Sequence, residues 1–216
     1  MARMHIGVVV GLAAEARIAH GLGWPVAIGG GTIAGAEAAA YRLIDAGAAA
    51  LVSFGLAGGL DPALRPGAVI VPSAVIVGDD RYATDADLSR MLGGATAHRL
   101  LGAETIVTCA VEKRSLHART GAAAVDLESG AVARVAAARG IPFAVLRAIC
   151  DPADRSLPPA ALAALDVRGG IGVGRVLISV AAHPAQLPAL FALAADAAAA
   201  RRSLVACVRR IAQAPA

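Results

Sequence analysis

The sequence has 216 residues, of which 57% are hydrophobic and 3% aromatic, and 20 Lys and Arg against 16 Asp and Glu give a net charge of +4. This length fits one domain with a sizeable core, expected to take in residues 1–216. Few aromatics and scattered positive residues argue against nucleic-acid binding, and no apolar stretch reaches the roughly 20 residues of a bilayer span.

The apolar start, with Glu15 and Arg17 close behind, is a poor secretion signal. Cys109, Cys150 and Cys207 are far apart and lack CxxC spacing. They argue against a disulfide framework or a zinc site and suit a reducing cytosol. Arg201, Arg202, Arg209 and Arg210 cluster near the end, as a solvated helix face or as an edge for anionic lipid or phosphate.

In chain order, His5 to Val10 reads as a strand, Leu12 to His20 as a helix, and Val26 to Ile28 as a strand ending in Gly29, Gly30 and Gly31. Ala34 to Ala46 is an alanine-rich helix stopped by Gly47. Ala50 to Phe54 is a strand running into a turn-rich loop, GLAGGLDP. Ala68 to Val77 is a long strand interrupted at Pro72, and residues 78–98 read as loop with one helical turn. Strands are expected at Glu104 to Cys109, Ala123 to Asp126 and Phe143 to Ile149, and helices at Lys113 to Thr120 and Ser129 to Arg139. From Pro158 onward the chain reads as helix, broken near Gly169 to Gly174 and at Pro184 and Pro188.

Strands alternating with helices imply an α/β fold: a central mixed β-sheet flanked by helices over about residues 4–155, with a helical C-terminal extension over about 158–213. In such sheets ligands bind beyond the carboxyl ends of the strands. Glu15, the triple glycine, GLAGG, Glu128 and Asp151 all follow strands and so converge on one candidate pocket.

Asp151 sits between LRAIC and Pro152, where burial would raise its pKa and make it a proton donor. A turn-initiating Asp before Pro is the plainer alternative. If the strand extends to Glu128, Asp126 and Glu128 share one face, and a carboxylate suits the paired hydroxyls of a ribose. A helix-start carboxylate is the alternative there and at Glu15. The glycines at 29 to 31 and at 55, 58 and 59 let backbone amides approach an anion or a sugar. GGGTIAG is a poor dinucleotide fingerprint, no P-loop occurs, and the isolated histidines suggest no metal site.

Four blocks in order, HIGVVVGLAAEA, IGGGTIAGAEAA, VSFGLAGGLDPALRPGAVIVP and AVDLESGAVARVAAARGIPFAVLRAICD, resemble the nucleoside phosphorylase and nucleosidase superfamily. The resemblance implies that Glu15 orients or activates the nucleophile, that Glu128 grips the ribose hydroxyls over Leu127, and that Asp151 protonates purine N7. It places Arg147 in the strand before Asp151, with Asp126 in support. An Asp at 151 implies adenine as the base. Arg17, Thr32, Gly29, Gly31 and Gly55 are the candidates for holding phosphate or the nucleophile. No metal or organic cofactor is implied, and phosphate is a possible co-substrate.

Leu56 departs from the Ser usual in nucleosidases, and the segment between Pro72 and Glu104 is short, implying an open 5′ side. GLAAEARIA, EKRSLHARTGAAAVDLESGAVARVA and LRAICDPADRSLPPAAL resemble the hopanoid-associated phosphorylases. The expected activity is then release of adenine from adenosylhopane by phosphate or water. A methylthioadenosine/S-adenosylhomocysteine nucleosidase and a non-catalytic nucleotide- or lipid-binding protein are the rivals. The resemblance also implies a homo-oligomer in the cytoplasm, working at the inner membrane surface on a lipid-linked adenine nucleoside.

Overall fold

The computed structural model describes residues 5–96, 99–158 and 186–214. Among these residues, nine strands form one mixed sheet. β1 (Ile6–Val10) lies between β2 (Val26–Ile28) and β3 (Ala50–Gly59), parallel to both. β3 pairs in parallel with β9 (Phe143–Asp151) from Leu51 to Gly58, and β9 pairs antiparallel with β4 (Val69–Ile70). The far end of β3, at Gly58 and Gly59, pairs antiparallel with β8 (Ala122–Asp126). Beyond β8 come β7 (Arg99–Gly102), β5 (Ala74–Val77) and β6 (Asp80–Ala83). Because β9 occupies one edge of β3 through Gly58, β1 and β8 share the other and leave residues 55–57 unpaired between them.

Alternation sends each central strand's residues to two cores. On one face Ile6, Val8, Val10, Val52, Phe54 and Leu146 pack with α1 (Ala13–Ala19), α3 (Ala86–Met91) and the long α6 (Leu187–Gln213). On the other, Val9, Leu51, Val145 and Ile149 pack with α2 (Ile33–Asp45) and α5 (Ser129–Arg139), whose alanines allow close approach. α4 (Ala110–Thr120) contributes Leu116 to a third cluster around Leu60, Leu101 and Val125.

Several expectations need correction. GLAGG is strand rather than loop, because β9 supplies backbone partners through Gly58. The run around Pro72 is two strands, and residues 78–98 contain β6 and α3. No strand forms over Glu104 to Cys109; the strand is β7 just before it, and Thr105, Ile106 and Val107 instead face a cavity. The strand ending at Asp126 does not reach Glu128, which adopts helical φ/ψ at the start of α5. Pro188 does not break a helix but lies in the first turn of α6, where its missing N–H costs nothing. The segment 159–185, with the breaks expected at Gly169 to Gly174 and Pro184, lies outside the described residues. Among the described residues no helix is long and apolar enough to cross a membrane.

Candidate active site

A cavity of about 480 Å³ opens at the carboxyl ends of β1, β8 and β9, in the usual size range for small-molecule sites. Glu15, Asp126, Leu127, Glu128 and Asp151 all line it. Glu15 enters from the first turn of α1, Glu128 from the link between β8 and α5, and Asp151 from the last residue of β9. All three carboxylates are buried.

Among the described residues, the hydrogen bonds to the Glu15 carboxylate come from backbone. Its Oε2 accepts the Gly11 and Leu12 N–H groups at 3.0 and 2.9 Å, and its Oε1 accepts the Leu56 N–H at 2.9 Å, inside the gap in pairing on β3. Glycine at position 11 leaves room for the Glu128 carboxylate, which any side chain there would displace. A Cβ there would lie 2.5 Å from Glu128 Oε1 and 3.3 Å from Glu15 Oε2, so this backbone lets the two carboxylates converge.

Arg147 ties the acids together. It is fully buried, with Nε 2.6 Å from Asp126 Oδ2. Its Nη2 donates to Ser53 Oγ at 2.8 Å and to Glu128 Oε2 and Ser129 Oγ at 3.2 Å. Ser129 in turn donates to Asp126, its Oγ reaching Oδ2 at 2.5 Å and its N–H reaching Oδ1 at 3.1 Å. Burial alone would lower the arginine's pKa; the charges of Asp126, Glu128 and Glu15 outweigh it and raise it. Glu128 moves the other way from an ordinary carboxylate. Burial, reinforced by Asp126 and Glu15 and opposed by Arg147, pushes it from 4.5 up to about 7.

That shift has a consequence for stability. Between 4.5 and about 7 the folded Glu128 holds a proton that the unfolded chain has released, so its contribution falls as pH rises through that window. Thermal melts of Glu128→Gln, compared with the parent across the same range, are expected to lack this component.

Asp151 is also raised, first by burial, against the lowering hydrogen bond and charge of Lys113. Lys113 is 0% exposed and donates through Nζ to Asp151 Oδ2 at 2.5 Å, Pro152 O at 3.0 Å and Arg155 O at 2.9 Å. Asp151 Oδ1 is buried and has no hydrogen-bond partner among the described residues.

The other predicted site residues divide. Gly31 and Thr32 line the cavity together with Gly30, and Thr32 Oγ1 caps α2 by accepting the Gly35 N–H at 3.1 Å. Arg17 is exposed on α1 and not part of the cavity wall. Gly29 is buried behind it, donating its N–H to Val10 O at 2.8 Å. Gly55 makes room for Arg147 and Glu15 rather than for a ligand: a Cβ there would lie 2.5 Å from both Arg147 Nη1 and Glu15 Oε1. Sequence reasoning missed Lys113, Ser53 and Ser129. Lys113 carried one overlooked signal, since it is the chain's single lysine beside nineteen arginines.

The chain matches the profile of the phosphorylase superfamily over residues 18–98 and 94–168. No curated protein matches it. Among solved structures, a 5′-methylthioadenosine/S-adenosylhomocysteine nucleosidase from Helicobacter pylori aligns with a TM-score of 0.68 at 17% identity, covering 97% of this chain and 100% of that one. The futalosine hydrolase of the same organism aligns at 0.67 and 17%, covering 95% and 97%. An S-adenosylhomocysteine nucleosidase from Streptococcus pyogenes aligns at 0.64 and 17%, covering 71% and 86%. With the profile covering well over half of its length, the chain belongs to the phosphorylase superfamily.

Proposed function

We propose that this protein cleaves the N-glycosidic bond of an adenine nucleoside, with the base against Asp151 and the ribose against Glu128 and Leu127. One observation carries the reading: Asp151, whose Oδ1 is buried and unpartnered among the described residues, is a residue of the cavity wall that Glu15 and Glu128 also line. Bond cleavage builds positive charge on the sugar and negative charge on the base. A raised carboxyl pKa keeps Asp151 proton-bearing for purine N7, and nearby carboxylates favour the cationic sugar. Glu15 spends three acceptor sites on backbone N–H groups, leaving about one of a carboxylate's four to orient a nucleophile. Two of the similar folds are nucleosidases by name, which supports the same chemistry.

Water is the proposed nucleophile. Among the described residues no Lys or Arg lines the cavity, so none of these side chains offers phosphate a cationic partner. Phosphorolysis is favoured by one feature, the Gly30, Gly31 and Thr32 backbone at the start of α2, a ready anion cradle. Adenine release measured with and without phosphate is expected to give equal rates; a phosphate requirement would contradict the hydrolytic route.

Most of the remaining wall is apolar, with Leu56, Ile106, Val107, Leu157, Leu193 and Ala197. That supports a large apolar 5′ substituent, as in adenosylhopane. A lipid-linked nucleoside is met at a membrane surface, and Phe191, Arg201, Arg202 and Arg209 are exposed on α6, where they suit anionic headgroups. Adenosylhopane is expected to be turned over with a higher kcat/KM than methylthioadenosine; the reverse order would favour a methylthioadenosine/S-adenosylhomocysteine nucleosidase.

A further inference from the structure

The chain's single lysine lies in the interior on α4, where Arg147 is the other fully buried cation among the described residues. A buried ammonium is costly unless its donors are satisfied, and here three donors meet three acceptors: Asp151 Oδ2, Pro152 O and Arg155 O. A guanidinium presents five donors in a flat fork and cannot fill that compact set. The contact also divides the two oxygens of Asp151. Lys113 takes Oδ2, and Oδ1 is left buried and unpartnered among the described residues, on a residue of the cavity wall.

We infer that Lys113 is a positioning residue for proton donation: it fixes Asp151 so that Oδ1 delivers the proton, and it neutralises the carboxylate that remains. This rests on the glycosidic-bond reading above. In the step, the Oδ1–H bond breaks and an N7–H bond forms on the purine. The C1′–N9 electron pair goes to the base, and the negative charge left on Asp151 is held at Oδ2 by the ammonium. Lys113 keeps its own proton throughout. Burial makes Asp151 reluctant to ionise, and Lys113 opposes that, so the pair holds a proton yet can release it. The other charged groups acting on Asp151 are Arg155, from the following loop, and Asp196, from α6; they pair with each other, so their effects largely cancel. Cys150, the preceding residue, is pushed up to about 12 by burial and stays neutral.

The test compares Lys113→Met and Lys113→Gln with the parent on two substrates, adenosine and 4-nitrophenyl riboside, whose leaving group needs no proton. Losing one preorganised donor to developing charge costs about 10²-fold, so kcat on adenosine is expected to fall by that order with KM little changed. The alkaline limb of its pH profile should move upward, because Asp151 loses its counter-ion. Hydrolysis of the nitrophenyl riboside should stay near the parent rate. An equal loss on both substrates, including loss through failure to fold, makes Lys113 structural only and overturns the inference, as does an unmoved alkaline limb. If the parent releases no adenine from any nucleoside, the glycosidic-bond reading itself fails.

Discussion

Replacing Asp151 with Asn is expected to reduce kcat for adenine release by about 10²- to 10⁴-fold, the range that general acid catalysis supplies. The substitution is nearly isosteric. An Asn carbonyl oxygen can still accept from Lys113 Nζ, now 2.5 Å from Oδ2, so the link between α4 and the end of β9 survives. What changes is the group at the unpartnered Oδ1 position. An amide N–H can hydrogen-bond purine N7 but has no proton to transfer, so the base must leave as an anion. KM is expected to change little, because Glu128 and Leu127, proposed to hold the ribose, are untouched on the cavity wall. Steady-state kinetics alongside a thermal melt check the result. A folded Asp151→Asn enzyme with kcat close to that of the parent would remove Asp151 from the mechanism.

The second large effect concerns stability. Arg147→Leu is expected to cost about 3–5 kcal/mol, the usual loss when one partner of a buried charge network is removed. Arg147 is the cation beside Asp126 and Glu128, both buried, with Glu15 close by. Without it these carboxylates are left together and uncompensated. Against a typical total stability of about 5–15 kcal/mol, the variant stands near the edge of folding. Arg147→Lys should recover little, since one ammonium cannot hold Asp126 through Nε while Nη2 reaches Ser53, Glu128 and Ser129. The deficit should shrink on acidification, as the orphaned carboxylates take up protons. Denaturant midpoints of parent and Arg147→Leu at pH 8 and pH 5 test this, and a variant as stable as the parent at pH 8 would show that the network does not depend on its cation.

Much of this arrangement was legible in the sequence, for identifiable reasons. β1 is a continuous apolar run and β9 an apolar run broken only by Arg147 before it ends at Asp151, because both their faces are covered, and α5 is bounded by Ser129 and Gly140, so each announced itself locally. Glu15, Glu128 and Asp151 stood out because a carboxylate just past an apolar strand has few reasons to be there. The errors came where tertiary context overrode local signals. ETIVTC has β-type composition, but Thr105, Ile106 and Val107 form a cavity wall instead of pairing. GLAGG has turn composition, yet the partner strand β9 keeps it extended. Gly78 and Asp79 form a two-residue hairpin between β5 and β6, Gly78 adopting φ +59, a turn signal that the polar reading of residues 78–98 passed over.

The partners of the acids were not legible. Nothing local says that Arg147 meets Asp126 and Glu128, or that Lys113 meets Asp151 from 38 residues away. Those pairings follow from the crossings of β3, β8 and β9, a property of the sheet and not of any one segment. Arg17 shows the converse: a cation and so a candidate for holding phosphate, it lies on the turn of α1 that buries Glu15 yet is itself exposed.

The most direct measurement is a crystal structure with a C-nucleoside analogue of adenosine, in which a carbon–carbon bond replaces the cleavable one. The base is expected with its N7-position N–H within about 3 Å of Asp151 Oδ1, the range of a hydrogen bond, and the 2′ and 3′ hydroxyls on Glu128. An analogue bound with its sugar toward Asp151, bound elsewhere on the molecule, or not bound at all would contradict this assignment.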